Sequence, residues 1–175
     1  VMRLSLLLFL CLLIFISCQE PVDEKIDTSW SILYKQVLEP NCSNCHMNGS
    51  AIQKQSGLDL SSSAAYNALV GVTPKNSAAI NDGLLRVSTE GGMKGLTQSY
   101  LWEKINVYDQ EHFLNDHPEY GQLMPPGGNV LTDGELQFVR SWIEAGAPES
   151  GIVVDEDLLL NTDRYTPETL SLIHI

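Results

Sequence analysis

Three stretches of apolar residues stand out along this chain, one continuous and two at helical spacing. Between Leu4 and Ile16 the run is continuous, LSLLLFLCLLIFI behind the single basic Arg3. A short charged region followed by ~7–15 apolar residues is the pattern of an export leader, and this one is too short to span a bilayer well. Between Ser29 and Glu39 (SWSILYKQVLE) the apolar positions recur at helical spacing, which puts Trp30, Leu33, Tyr34, Val37 and Leu38 on one side. The third stretch, Leu131 to Pro148, predicts the best-defined helix of the chain. Thr132 stands as N-cap, Glu135 at N3 completes a capping box, and Leu131 with Leu136 makes the hydrophobic staple. Leu136, Val139, Trp142 and Ile143 then form one apolar face, which Gly146 and Pro148 bring to an end. That face is expected to pack on the helix of Trp30 to Leu38, with Trp142 as a core residue.

Shorter helices are expected in between. Ser61 or Ser62 can cap one through Tyr66, Ala68 and Leu69, and Ser99 can cap another through Leu101, Trp102 and Ile105. No strand pattern of consequence and no internal repeat is legible, so the expected fold class is all-α. After Pro148 an acidic stretch, Glu149 to Asp157, leads into Leu158 to Ile175, where apolar and polar residues mix without a helical or strand period. An extra helix packed on the domain is one reading of this tail, 149–175; its closing LSLIHI is read as artefactual and given no role.

Composition narrows the function classes. A chain of 175 residues suits one domain with something appended at an end, and 43% hydrophobic with 18% charged residues excludes wholesale disorder. Ten basic residues against 22 acidic give a net charge of −12, a field that repels phosphate backbones, so nucleic acid is not an expected partner. The leader closes on Phe15, Ile16, Ser17 and Cys18, which resembles a bacterial lipobox with Phe where Leu is usual. That resemblance implies a signal peptide over 1–17, lipidation of Cys18 and a charged tether over 18–29. The mature protein would then sit in the cell envelope, anchored to a membrane by lipid on its periplasmic side or at the cell surface.

The chemistry concentrates on two of the four cysteines. Asn41 to His46 reads NCSNCH, so Cys42, Cys45 and His46 make C-x-x-C-H, the attachment signature of c-type haem. With two residues between them on a helical turn, both sulfurs reach the two vinyl groups on one edge of a porphyrin. The adjacent imidazole is then drawn under the iron as proximal ligand. The rival readings fit less well. A thioredoxin-like dithiol wants a strand before the motif, whereas a helical pattern precedes it here. Zinc would need a second Cys or His pair, and His112 and His117, five apart on a polar stretch, are weakly ligand-like. A Cys42–Cys45 disulfide would be a tight, strained loop that leaves His46 unexplained.

For the distal face of the iron, Gln122 to Asn129 reads QLMPPGGN. Pro125 and Pro126 fix φ and push the preceding residue into extended geometry, so a stiff loop can hold Met124 towards a metal. Met47 follows His46 too closely to reach the far face, and Met93 lies in the flexible GGMKG. His112 or His117 as the sixth ligand stays open.

The order NCSNCH, GLDL (Gly57 to Leu60), AYNALVG (Ala65 to Gly71), SYLWEKI (Ser99 to Ile105), LMPPGG, then LTDGELQFVRSWIEAGAP (Leu131 to Pro148) resembles the planctomycete-type cytochrome c domain, a mono-haem branch of class I cytochromes c in exported bacterial proteins. The resemblance covers residues 30–148. It implies a small helical domain wrapped around one covalent haem c, with Cys42 and Cys45 as thioether attachments, His46 as proximal ligand and Met124 as distal ligand. Two departures bear on loop geometry: a longer stretch from Thr73 to Thr97, and a polar insertion, NVYDQEHFLNDHPEYGQ, from Asn106 to Gln122. The function expected is single-electron transfer rather than an enzymatic step, to a redox protein with a basic docking surface. The alternatives are a haem module of a larger surface assembly, or an open iron that binds peroxide, CO or NO. No Ser-His-Asp constellation, phosphate-cradling loop or zincin motif offers another catalytic reading.

Overall fold

A computed structural model describes residues 27–109, 112 and 115–166 of the chain. The leader, Cys18, the tether up to residue 26 and the closing LSLIHI lie outside the described residues. The regular structure is helical, with isolated β-bridges and no strand among the described residues, in line with the all-α expectation.

Helix α1 (Ser29–Leu33) opens on a capping box: the Thr28 hydroxyl accepts from the Ser31 N–H at 3.1 Å, and the Ser31 hydroxyl accepts from the Thr28 N–H at 2.8 Å. The helix does not stop at Glu39. It widens into π geometry from Tyr34 to Ser43 and closes with a single α-turn, α2 (Asn44–His46). Pro40 lies inside the widened stretch. With no N–H to donate and a ring that crowds the preceding turn, proline cannot continue a regular ladder, and a wider turn accommodates it. The helical segment thus carries the cysteines forward from a buried anchor, since Ile32, Leu33, Val37 and Leu38 are all core residues.

Short helices follow: α3 (Ala51–Ser56), α4 (Ala65–Leu69), α5 (Ser77–Asn81), α6 (Gly92–Thr97) and α7 (Tyr100–Ile105). Two expected caps are used differently. The Ser61 hydroxyl and N–H both turn to the Asp59 carboxylate, at 2.7 and 2.9 Å, so the N-cap of α4 is Ala64, with no side-chain cap. Ser99 does precede α7, but its hydroxyl is buried, donating to the Gly95 carbonyl at 2.7 Å and accepting from the Ser88 N–H at 2.9 Å.

The last long helix, α8 (Asp133–Glu144), has the expected capping box between Thr132 and Glu135 and ends before Gly146. Leu136, Phe138, Val139, Trp142 and Ile143 on it are buried. Trp142 meets Trp30 of α1 at 5.5 Å between ring centroids, and Trp30 meets Tyr66 of α4 edge-on at 5.1 Å. Each such aromatic pair adds about 1 kcal/mol beyond its area burial. The Trp142 indole donates to the Pro148 carbonyl and the Tyr66 hydroxyl to the Ala147 carbonyl, both at 2.9 Å, which ties the end of α8 to the same aromatic cluster.

Packing continues past Pro148. The buried Ser29 hydroxyl accepts from the N–H groups of Val153 and Val154, and a short 3-10 helix, Glu156–Leu160, lies against the start of α8. The N–H groups of Asp133 and Gly134 donate to the carbonyls of Asp163 and Asn161, at 2.8 and 3.1 Å. This close approach is why position 134 is glycine: a Cβ there would stand 2.2 Å from the Leu158 carbonyl oxygen and 2.6 Å from that of Asn161. A second, smaller cluster forms on Ala79, Leu84 and Tyr120, between α5 and the turn Pro118–Tyr120.

Candidate functional site

The C-x-x-C-H residues sit on the last turns of the first helical segment, where two other parts of the chain grip it. From α8, the Glu135 carboxylate uses one oxygen to accept the Thr132 N–H at 2.7 Å and the other to accept the Asn41 amide at 2.9 Å. The capping box therefore also anchors the residue before Cys42. From the Gly57–Leu60 segment, the Leu60 N–H donates to the His46 carbonyl at 2.7 Å, while the Leu60 carbonyl accepts from the hydroxyls of Tyr34 and Ser43 at 3.1 and 3.0 Å. These contacts give GLDL a mechanical role as a strap over the motif.

Cys42 is half-buried, Cys45 is exposed, and both are free thiols. Burial, with the charge of Glu135 and the neighbouring Cys45, pushes the Cys42 thiol up to about 12. It is a neutral thiol at physiological pH. An attacking dithiol needs the opposite, a thiol lowered towards ambient pH by a cation or a helix end, so this environment argues against thioredoxin-like exchange.

His46 is half-buried. Burial lowers its pKa, a hydrogen bond to the Leu58 carbonyl partly opposes that, and the Arg86 charge adds to it. The ring is therefore neutral, the form that binds metals. Its Nδ1 lies 3.3 Å from the Ser56 hydroxyl, which itself donates to the Ile52 carbonyl at 2.8 Å. With that hydroxyl hydrogen committed, the tautomer that satisfies this contact is the one in which Nδ1 donates. A ring nitrogen held by an oxygen acceptor is how ligating histidines are oriented. Ser56 and the Leu58 carbonyl are roles not foreseen from sequence. Arg86 is another: only 9% exposed, it donates to the Ala68 and Ser56 carbonyls at 2.6 and 3.2 Å. A lone basic residue in the apolar run LLRV was the available signal.

Met124 is half-buried and packs, as Cys42 does, on the main core. Its N–H donates to the Lys104 carbonyl at 2.6 Å, and the Lys104 ammonium in turn donates to the carbonyls of Tyr120 and Gln122. Helix α7 thus holds the methionine loop at three points. Between this loop and the motif-bearing helix lies a cavity of about 490 Å³, lined by Pro40, Asn41, Pro125, Asn129 and Arg164. Pro40 and Asn41 immediately precede Cys42, and Pro125 follows Met124, so the two sequence-predicted segments share this cavity. Its size lies within the range of small-molecule and cofactor sites.

The other two histidines stand elsewhere. His117 stacks on Tyr120 of the smaller cluster at 4.5 Å, and its Nδ1 is 4.0 Å from both Asp82 and Glu119. His112 meets His117 edge-on at 4.9 Å and pairs with Asp116 at 3.0 Å. The ligand atoms of Asp82, His117 and Glu119 lie within 4.8 Å of one another.

Among family models, curated proteins and solved structures, none matches this chain. The chemistry is carried by the donors just described: a neutral imidazole, two reduced thiols at C-x-x-C spacing, and a thioether on a braced loop.

Proposed function

We propose that the protein is an exported mono-haem c-type cytochrome of the class I type that transfers single electrons. The observation that carries this reading is His46, held neutral by burial with Nδ1 at 3.3 Å from the Ser56 hydroxyl, directly beside two thiols at C-x-x-C-H spacing. Cys42 and Cys45 would hold the haem. Each S–H would add across a vinyl C=C, forming one S–C bond while the hydrogen goes to the other vinyl carbon, so attachment would need no oxidant. Bound haem would supply an iron that cycles between Fe(II) and Fe(III).

The chain's own residues have defined tasks in this scheme. His46 would give Nε2 to the metal while Ser56 and Leu58 fix the ring plane. Met124 would give its sulfur from a loop that α7 holds at Lys104. Its support over His112 or His117 is positional: Met124 packs on the main core with Cys42, whereas those histidines face carboxylates in the smaller cluster. The net charge of −12 favours a redox partner with a basic docking face, met through weak, salt-sensitive contacts. Cys18, lipidated, would keep the domain near a membrane in the cell envelope.

The test is an absorption spectrum of the chain made in cells that attach haem c, for wild type and Met124→Ala, oxidised and reduced, with and without CO. A low-spin wild type that ignores CO and has a far-red sulfur-to-iron band, lost in the variant, is the expected result. A wild type without covalent haem, or one that binds CO readily, overturns the carrier reading.

A further inference from the structure

The polar insertion from Asn106 to Gln122 brings donors of its own to the smaller cluster. His117 precedes the turn Pro118–Tyr120, Glu119 lies within it, and Asp82 ends α5 beside them. The His117 Nδ1 stands 4.0 Å from an oxygen of each carboxylate, and the ligand atoms of all three residues fall within 4.8 Å of one another. At 4.0 Å neither carboxylate is hydrogen-bonded to the imidazole. Donors at ~2.0–2.2 Å from a tetrahedral zinc ion stand about 3.4 Å apart, so rotation of two exposed carboxylates closes the difference.

The surroundings orient these donors. Tyr120, only 4% exposed, gives its hydroxyl hydrogen to Asp82 Oδ2 at 2.7 Å and stacks its ring on His117 at 4.5 Å and 13°. The Asn76 amide, at the start of α5, donates to the Glu119 carbonyl at 2.9 Å and fastens the turn to that helix. A second imidazole stands at the rim: His112 meets His117 edge-on at 4.9 Å and has its Nδ1 on Asp116 at 3.0 Å. A carboxylate behind one ring nitrogen is the outer partner that ligating histidines carry.

The donor set also selects the ion. Calcium wants six to eight oxygens, far more than two carboxylates supply, whereas an imidazole with carboxylates suits zinc and its neighbours. Two carboxylates also balance a divalent charge. We propose that Asp82, His117 and Glu119 bind a divalent transition-metal ion of the zinc class, which fastens the insertion to the end of α5. The site belongs to the smaller cluster and does not rest on the haem reading.

The test adds zinc chloride to the full chain, produced in cells that attach haem c and kept reduced so that a low-spin haem leaves the NMR spectrum diamagnetic. Signals of Asp82, His117 and Glu119 should shift first and saturate at a single zinc per chain. By calorimetry, Asp82→Asn and Glu119→Gln should each weaken binding at least ~10-fold, and His117→Ala should weaken it further. Excess calcium should not displace the zinc. The site is overturned by an absence of saturable binding, by shifts confined to Cys42, Cys45 and His46, by displacement with calcium, or by carboxamide variants that bind zinc as the wild type does. The wild-type shifts locate the ion even where a variant fails to fold. A chain that carries no covalent haem can be titrated in the same way, so failure of the haem reading and failure of this site are told apart.

Discussion

Two regions of this molecule each place histidine beside an aromatic-rich cluster, and they treat it differently. In the first helical segment, the His46 ring meets the Ser56 hydroxyl and the Leu58 carbonyl, with the buried cation Arg86 acting on it. On the smaller cluster, His117 lies flat on Tyr120 between two carboxylates, and His112 pairs with a third. The first arrangement keeps an imidazole neutral and aimed. The second surrounds it with carboxylates instead. Residue type alone therefore does not nominate a ligand; what the second ring nitrogen meets does.

If the protein carries the proposed haem, removing each histidine in turn from the loaded protein puts this contrast at greatest risk. His46→Ala should abolish the low-spin spectrum, whereas His117→Ala should leave it unchanged; equal effects would mean the second cluster supplies a ligand. Stability should divide along the same line. Trp142→Ala opens the main core and should cost about 3–5 kcal/mol in urea unfolding. Tyr120→Phe removes the 2.7 Å hydrogen bond to Asp82 and should cost about 1 kcal/mol. Ser56→Ala tests the second-nitrogen argument directly: losing that acceptor should weaken the hold on His46 by about 1 kcal/mol, read as an earlier loss of the ferric low-spin band in urea.

A weaker effect concerns pH in chain made without haem. The Cys42 thiol titrates at about 12 in the fold against 9.0 for the unperturbed group. Between those values the unfolded chain binds fewer protons than the folded one, so stability is full below pH ~9 and falls as pH rises towards 12. Tyr100, also raised to about 12, titrates in the same window, so the difference between wild type and Cys42→Ala isolates the thiol. A fall of equal steepness in both would remove Cys42 as its cause. A thiol reagent should likewise modify exposed Cys45 well before Cys42.

Much of this site is legible in the sequence. C-x-x-C-H is local chemistry, spelled by neighbours on one helical turn, and the capping box of α8 is three residues of short-range hydrogen bonding. The apolar face of α8 and its meeting with Trp30 followed from a 3.6-residue period, because a helix that buries one stripe must find another stripe to cover it. Where side-chain hydroxyls had a choice, local rules failed. Ser61 and Ser99 looked like caps, but a nearby carboxylate and a buried backbone pair competed for the same hydrogen bonds and won.

Other features belong to the tertiary structure alone. The use of Ser56 and Leu58 to orient His46, the double duty of Glu135 across 94 residues to Asn41, and the return of the tail to α8 join positions that no period or spacing relates. The one-dimensional pattern determined which residue types were available and which helices would form, since those depend on neighbours within a turn or two. Which oxygen meets which nitrogen, and that Arg164 reaches the cavity between Asn41 and Pro125, was decided by how those helices pack, because packing sets distances between residues that the chain itself leaves unrelated.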